Sequence, residues 1–156
     1  MKKTAMILFT RLPIPGQTKT RLMPFLTGEE CAAFHKAMLA DTAAMLRQTG
    51  LDIHVFYAPE GTIADVEILK QVIGPARYNV QAGNNLGARM DSAIQTVLSQ
   101  PYRGCLLMGS DIPLVTDGEI REASKLLNAH PVVLSPTEDG GYWLVVMTKP
   151  FSPLFK

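Results

Sequence analysis

The chain has 156 residues, 47% of them hydrophobic and 19% charged, with a formal net charge of +1. That length supports one domain, burying roughly 70% of its unfolded surface. The composition excludes a disordered chain, and the balanced charge excludes a general pull toward nucleic acid or membrane.

MKKTAMILF has the outline of a secretion signal, but its apolar core is short, Arg11 interrupts it and no small-residue cleavage site follows. No run is long enough to span a bilayer. Cys31 and Cys105 are far apart and fall inside regular elements, as buried residues do in a reducing compartment. The expectation is a cytoplasmic protein, 1–156 as a single domain.

Ala5 to Phe9 is an unbroken apolar run and predicts a strand buried on both faces. Directly after it come Arg11, a Pro-rich turn ending in Gly16, then Lys19 and Arg21. In an open α/β sheet, ligands bind beyond the carboxyl ends of the strands. Gly16 lets backbone approach a ligand, Lys19 is a mobile point charge, and each arginine can grip phosphate oxygens with two bonds. The loop reads either as a phosphate holder or as a surface turn with solvated charges. It is not a Walker loop, because GQTKT has no glycine directly before its lysine, and G-x-G-x-x-G is absent.

Thr27-Gly28-Glu29-Glu30 has capping-box spacing and predicts a helix ended by Gly50. A second strand follows at Ile53 to Ala58, a helix at Ile63 to Val72, and a third, more polar strand at Tyr78 to Ala82. The stretch QAGNNLGARM then enters a helix, Leu86 to Ser99, with Leu86, Met90, Ala93, Ile94 and Val97 on one face. Gln81 can both donate and accept, as reading a base edge requires. Gly83 and Gly87 permit close backbone approach, and the helix start favours an anion; a plain glycine turn and cap fits the same residues.

Cys105 to Met108 predicts a short buried strand running into GSDIPLV. Asp111 is held there on a stiff turn beside Pro113, suited either to Mg²⁺ or to Asx bonding. Thr116 to Glu119 repeats the capping spacing before a helix to about Ala129. Strands follow at Val132 to Leu134 and Tyr142 to Met147. The loop SPTEDGGYW between them supplies Glu138 and Asp139, and its Asp-Gly is also a hairpin signal. The alternation of strand and helix predicts a three-layer α/β/α fold with a mostly parallel sheet. The turn around DGG is too short for a parallel crossover, so one strand near the C-terminus runs antiparallel. His35, His54 and His130 show no metal-ligand spacing.

FTRLPIPGQTKTRL, QAGNNLGARM, GSDIPL and SPTEDGGYWL, in this order, resemble the nucleotide-diphospho-sugar transferase superfamily with its GT-A (Rossmann-like) fold. More narrowly, the chain is similar to the glycosyltransferase A-like branch related to 2-phospho-lactate guanylyltransferases. The resemblance implies that Arg11, Gly16, Lys19 and Arg21 wrap nucleotide phosphates, and that Gln81, Gly83 and Gly87 contact the base. It implies that Asp111 binds Mg²⁺ (or Mn²⁺), joined by a later carboxylate, here Asp139. The implied enzyme is a transferase moving a nucleotidyl or a glycosyl group from an NTP or nucleotide sugar to a small acceptor, with Lys19, Arg21 and Asp111 at the reacting phosphates. A nucleotide-binding module without turnover remains the alternative. GSDIP departs from the Asp-x-Asp of the glycosyltransferases, and relatives commonly continue beyond the point corresponding to Lys156, so the expectation is either a chain that is short here or an acceptor side that is incomplete.

Overall fold

The apolar run near the start forms β1 (Thr4–Thr10), buried along its whole length, as a strand covered on both faces must be. The computed structural model describes residues 2–156. In it β1 lies inside a six-stranded sheet, flanked in parallel by β2 (Asp52–Tyr57) and β4 (Gly104–Gly109). The edge strand β3 (Arg77–Val80) is parallel to β2. Beyond β4 come β6 (Tyr142–Met147), antiparallel to it, and then β5 (Val132–Pro136), antiparallel to β6. The order is β3-β2-β1-β4-β6-β5. One reversed strand in a mostly parallel sheet is what the short DGG turn required.

Alternation along β1 divides the core. Met6 and Leu8 face α1 (Gly28–Gln48), α2 (Ile63–Ile73) and α4 (Asp117–Leu126) through Leu39, Leu46, Leu69, Ile73 and Ile120. Ala5, Ile7 and Phe9 face α3 (Leu86–Leu98) through Met90, Ala93, Ile94 and Val97. Leu154 and Phe155, from a terminal 3-10 turn, pack on that second cluster. These are the three layers.

Several local expectations shift. Leu86 is 64% exposed rather than part of the α3 face, being the first residue of the helix. The third strand runs Arg77–Val80, not Tyr78 to Ala82. Gln81 still bonds Tyr57 O through its amide, at 2.8 Å, but the chain leaves the pleat there. Its polarity follows from its edge position, with a neighbour on one side only. The last helix stops at Leu126 and continues as turns.

The capping boxes at Thr27 and Thr116 are half made: each threonine oxygen accepts from the amide three residues on, but no carboxylate returns the bond to the cap's own amide. A reciprocal box forms instead at Thr62, whose amide donates to Asp65 Oδ2 at 2.8 Å. Both cysteines are buried and free, and burial pushes the Cys105 thiol up to about 12, which makes it inert.

Candidate functional site

The strand order sets where a site can form. From β1 the chain moves outward to β2 and β3, then returns to place β4 on the other side of β1. The loops leaving β1 and β4 therefore diverge and open a crevice at the carboxyl edge of the sheet, the usual ligand position in such folds. Arg11 through Arg21 leave β1 there and Asp111 leaves β4. Gln81 and Gly83 leave β3, and the turn holding Asp139 follows β5, all at that same edge.

Across the crevice, Lys19 Nζ donates to Asp111 Oδ1 at 2.5 Å. The pair is asymmetric: the lysine side chain is 12% exposed and the aspartate 71%. The cation is thus tucked under the loop, its Nζ 5.5 Å from the centre of the Phe34 ring. The carboxylate stands outward, its second oxygen unengaged among the described residues. Among the described residues no backbone amide bonds Asp111; its partner there is Lys19 and not an Asx turn. Lys19 is also the one non-glycine residue with positive φ among those described, at φ 51° and ψ 40°. That left-handed conformation costs about 1–2 kcal/mol for an L-residue, and such strain is concentrated at functional sites.

The loop is held from beneath. Gly16 adopts φ 79°, and the start of α1 packs directly on it: a Cβ at Gly28 would lie 2.8 Å from Gly16 N. His35, on α1 and 2% exposed, places Nε2 3.0 Å from the Arg11 carbonyl and 3.3 Å from Thr10 Oγ1. A carbonyl can only accept, so Nε2 carries the proton and Nδ1 is the unprotonated nitrogen. Nδ1 is buried without a partner among the described residues. His35 was not a candidate from sequence. Its signal was the spacing Cys31, His35, Leu39, which puts a polar ring on the buried stripe of α1.

Burial, partly offset by the bond to Arg11 and reinforced by the Lys19 charge, lowers the His35 pKa from its ordinary 6.5. Burial and the nearby Arg77 do the same to His54. Both histidines therefore take up protons more readily when unfolded. Their contribution to stability is present above the unfolded value near 6.5 and is lost as pH falls from there through the lowered folded value. The thermal midpoint is expected to drop between pH 7.5 and pH 5.5, and His35→Gln, which keeps a donor but cannot titrate, should flatten that dependence. An unchanged slope in the variant would remove His35 as a source.

The other candidates are placed unequally. Arg11 and Arg21 are exposed and make no side-chain hydrogen bond or ion pair among the described residues, so both are available to an anion. Gln81 is 8% exposed, and its amide nitrogen donates to Phe56 O at 3.0 Å and Thr10 O at 3.3 Å. Its donors thus tie together the exits of β1 and β2, leaving only the carbonyl oxygen for a base. Gly83, at φ 143°, lies against the first turn of α3, where a Cβ would come 2.9 Å from Arg89 N. Asn85 caps that helix through Ala88 N at 2.9 Å, and no carboxylate occupies its first turn. At Gly87 the group in close approach is this chain's own Phe155 carbonyl. Arg89, missed in the sequence, braces the loop through Gly83 O at 3.1 Å and pairs with Glu60 at 3.7 Å.

Asp139 caps its own turn: Oδ1 accepts from Thr137 Oγ1 and from Gly141 N. These two bonds hold its carboxyl below the usual carboxylate range. No group of three or more His, Cys, Asp or Glu side chains gathers to hold a metal among the described residues. Mg²⁺ needs no such cage, since it takes one or two carboxylates with phosphate and water. The outward oxygen of Asp111 beside a cationic loop fits that requirement.

The sequence profile of the DUF2064 family, described as an uncharacterized protein conserved in bacteria, matches residues 33–156. The chain is 29% identical over 150 residues to a 2-phospho-L-lactate guanylyltransferase from Methanocaldococcus infernus, covering 90% of this chain and 61% of that protein. It thus spans under two-thirds of that relative's length. A crystal structure from Desulfovibrio desulfuricans G20, provisionally assigned as a nucleotide-diphospho-sugar transferase, overlays with a TM-score of 0.91 at 30% identity, over 100% of this chain and 68% of that one. The manganese complex of Rv0371c from Mycobacterium tuberculosis H37Rv overlays at 0.60 with 15% identity, over 99% and 75%, and shows the fold alone. Since the family profile covers most of its length, this chain belongs to the DUF2064 family, on a nucleotidyltransferase-like fold.

Proposed function

We propose that the crevice binds a nucleoside triphosphate together with Mg²⁺ or Mn²⁺ and that the protein transfers a nucleotidyl group to a small acceptor. The observation that carries this reading is the Lys19–Asp111 contact, which brings a half-buried cation and an outward carboxylate from two separate loops to one point. Arg11, Lys19 and Arg21 would lie on the phosphates, and Asp111 would hold the metal, with the free oxygen of Asp139 as its second carboxylate. A divalent ion bound there supplies charge neutralisation across the phosphate oxygens. When phosphate arrives, Lys19 exchanges the carboxylate for a phosphate oxygen. Its charge, already partly desolvated, then acts where negative charge grows on the leaving pyrophosphate. Gly83 and the first turn of α3, which carries no carboxylate, would offer backbone amides to the rest of the nucleotide. The guanylyltransferase relative supports the nucleotidyl reading.

The Desulfovibrio relative supports a second reading, transfer of a sugar from a nucleotide sugar, with Glu138 or Asp139 as the base for the acceptor hydroxyl. Product analysis separates the two. Pyrophosphate released from a triphosphate in the presence of phosphorylated acceptors is the expected result. Release of a nucleoside diphosphate from a nucleotide sugar would replace it with glycosyl transfer. Binding of nucleotide with neither product would leave a module without turnover.

A further inference from the structure

The amino ends of the parallel strands, on the edge opposite Lys19 and Asp111, carry a second concentration of charge. Lys3 precedes β1, Asp52 opens β2, Arg77 opens β3, and Gln100 and Tyr102 precede β4. With Lys2 they line a depression of about 700 Å³, within the size range of small-molecule sites.

Its floor is a bonded network. The Tyr102 hydroxyl donates to Asp52 Oδ2 at 3.0 Å and accepts from Arg77 at 3.2 Å. His54 Nε2, from a residue 1% exposed, lies 2.9 Å from the same oxygen. Arg77 also donates to Gln100 Oε1 at 3.0 Å. Both of these bonds use a single nitrogen of the guanidinium, so its remaining N–H groups are left for a second partner.

The charges do not balance. Asp52 is the one carboxylate in the lining, and it is shared between Tyr102 and Lys3, the latter at 3.5 Å. The side-chain partners of Arg77 are both neutral. Lys2 makes no hydrogen bond or ion pair among the described residues. A planar donor fork flanked by two point charges matches the geometry of a phosphoryl group.

We propose that this depression is an anion site, separate from the crevice at the carboxyl edge, for a small phosphorylated ligand carrying at least two negative charges. It does not depend on the reading of the crevice. A purely structural network would brace β2 and β3 against the chain entering β4. It would give Lys2 no role.

The test is a two-dimensional NMR titration of the whole chain with inorganic pyrophosphate, without divalent metal. Saturable shifts are expected at the amides of Asp52, Arg77 and Tyr102. Arg77→Gln should raise the dissociation constant by at least about tenfold, as loss of a charge-assisted phosphate contact does. Lys2→Gln should raise it by about threefold; this residue makes no bond among the described residues, so its variant tests charge without disturbing the fold. Lys19→Ala should leave these shifts unchanged. Shifts that never saturate, that are confined to the Gly16–Lys19 loop or that vanish in Lys19→Ala would overturn the proposal. Equal affinity for citrate would overturn the phosphoryl assignment.

Discussion

Lys19→Gly is expected to weaken binding of Mg²⁺–nucleoside triphosphate by ten- to a hundredfold while leaving the unfolding free energy within about 1 kcal/mol of wild type. The two effects have separate causes. A charged hydrogen bond to phosphate is worth about 1.5–3 kcal/mol, which sets the loss of affinity. In the ligand-free fold, removing the ion pair with the 71%-exposed Asp111 forfeits only about 0.2–1 kcal/mol. Glycine also relieves the left-handed strain at φ 51°, about 1–2 kcal/mol in the opposite direction. The added chain entropy of an unfolded glycine, about 0.5–1 kcal/mol, offsets most of the remaining gain, so the terms nearly cancel for folding and do not cancel for binding. Asp111→Asn is the companion: it should retain the fold and lose the Mg²⁺ dependence of binding. The double variant should lose less than the sum of the singles, since both act on one phosphate–metal cluster. Calorimetric titration with and without Mg²⁺, beside urea unfolding, provides both readouts. Unaltered nucleotide affinity in Lys19→Gly would remove the lysine from the site, and an unaltered Mg²⁺ response in Asp111→Asn would remove the carboxylate.

Gly28→Ala acts on the same loop from beneath, through the backbone of Gly16, without altering any side chain assigned to a ligand. Alanine favours a helix over glycine by about 1 kcal/mol in an interior position, and by less at the first residue, where Gly28 stands. Against this, the new methyl would lie 2.8 Å from Gly16 N and 3.3 Å from its Cα. Both are backbone atoms that cannot rotate aside, and overpacking of this kind costs about 1–3 kcal/mol. The clash therefore wins, with a net destabilisation of about 1 kcal/mol. The larger consequence is for binding, because Gly16 must move and the segment to Lys19 moves with it. Displacements of this size cost one to two orders of magnitude where geometry matters, so nucleotide affinity is expected to fall by at least about tenfold. A variant that is less stable yet binds nucleotide as wild type does would show that the loop position is irrelevant to the ligand.

The strands that are buried on both faces were legible in the sequence, because continuous burial leaves a continuous apolar run: Ala5 to Phe9 and Cys105 to Met108 were found to within two residues of their ends. The reversed strand was legible because five residues, 137–141, cannot carry a crossover. The edge strand β3 and the exposed Leu86 were misplaced, since both depend on which neighbours are absent, and local pattern does not encode absence.

For the candidate site, sequence alone identified the residue types and the sheet edge: cations after the first strand, a carboxylate after the fourth, glycines before a helix. Their pairing was decided by tertiary structure. Lys19 meets Asp111, 92 positions away, because β4 inserts beside β1 after the chain has built β2 and β3 on the other side. The same packing turned the Gln81 amide inward to two backbone carbonyls, set Phe155 against Gly87, and placed His35 beneath the Arg11 carbonyl. Periodicity and turn chemistry act over a few residues and so fix the elements. A hydrogen bond between loops depends on which strands are neighbours, and that is settled only when the two faces of the sheet are covered.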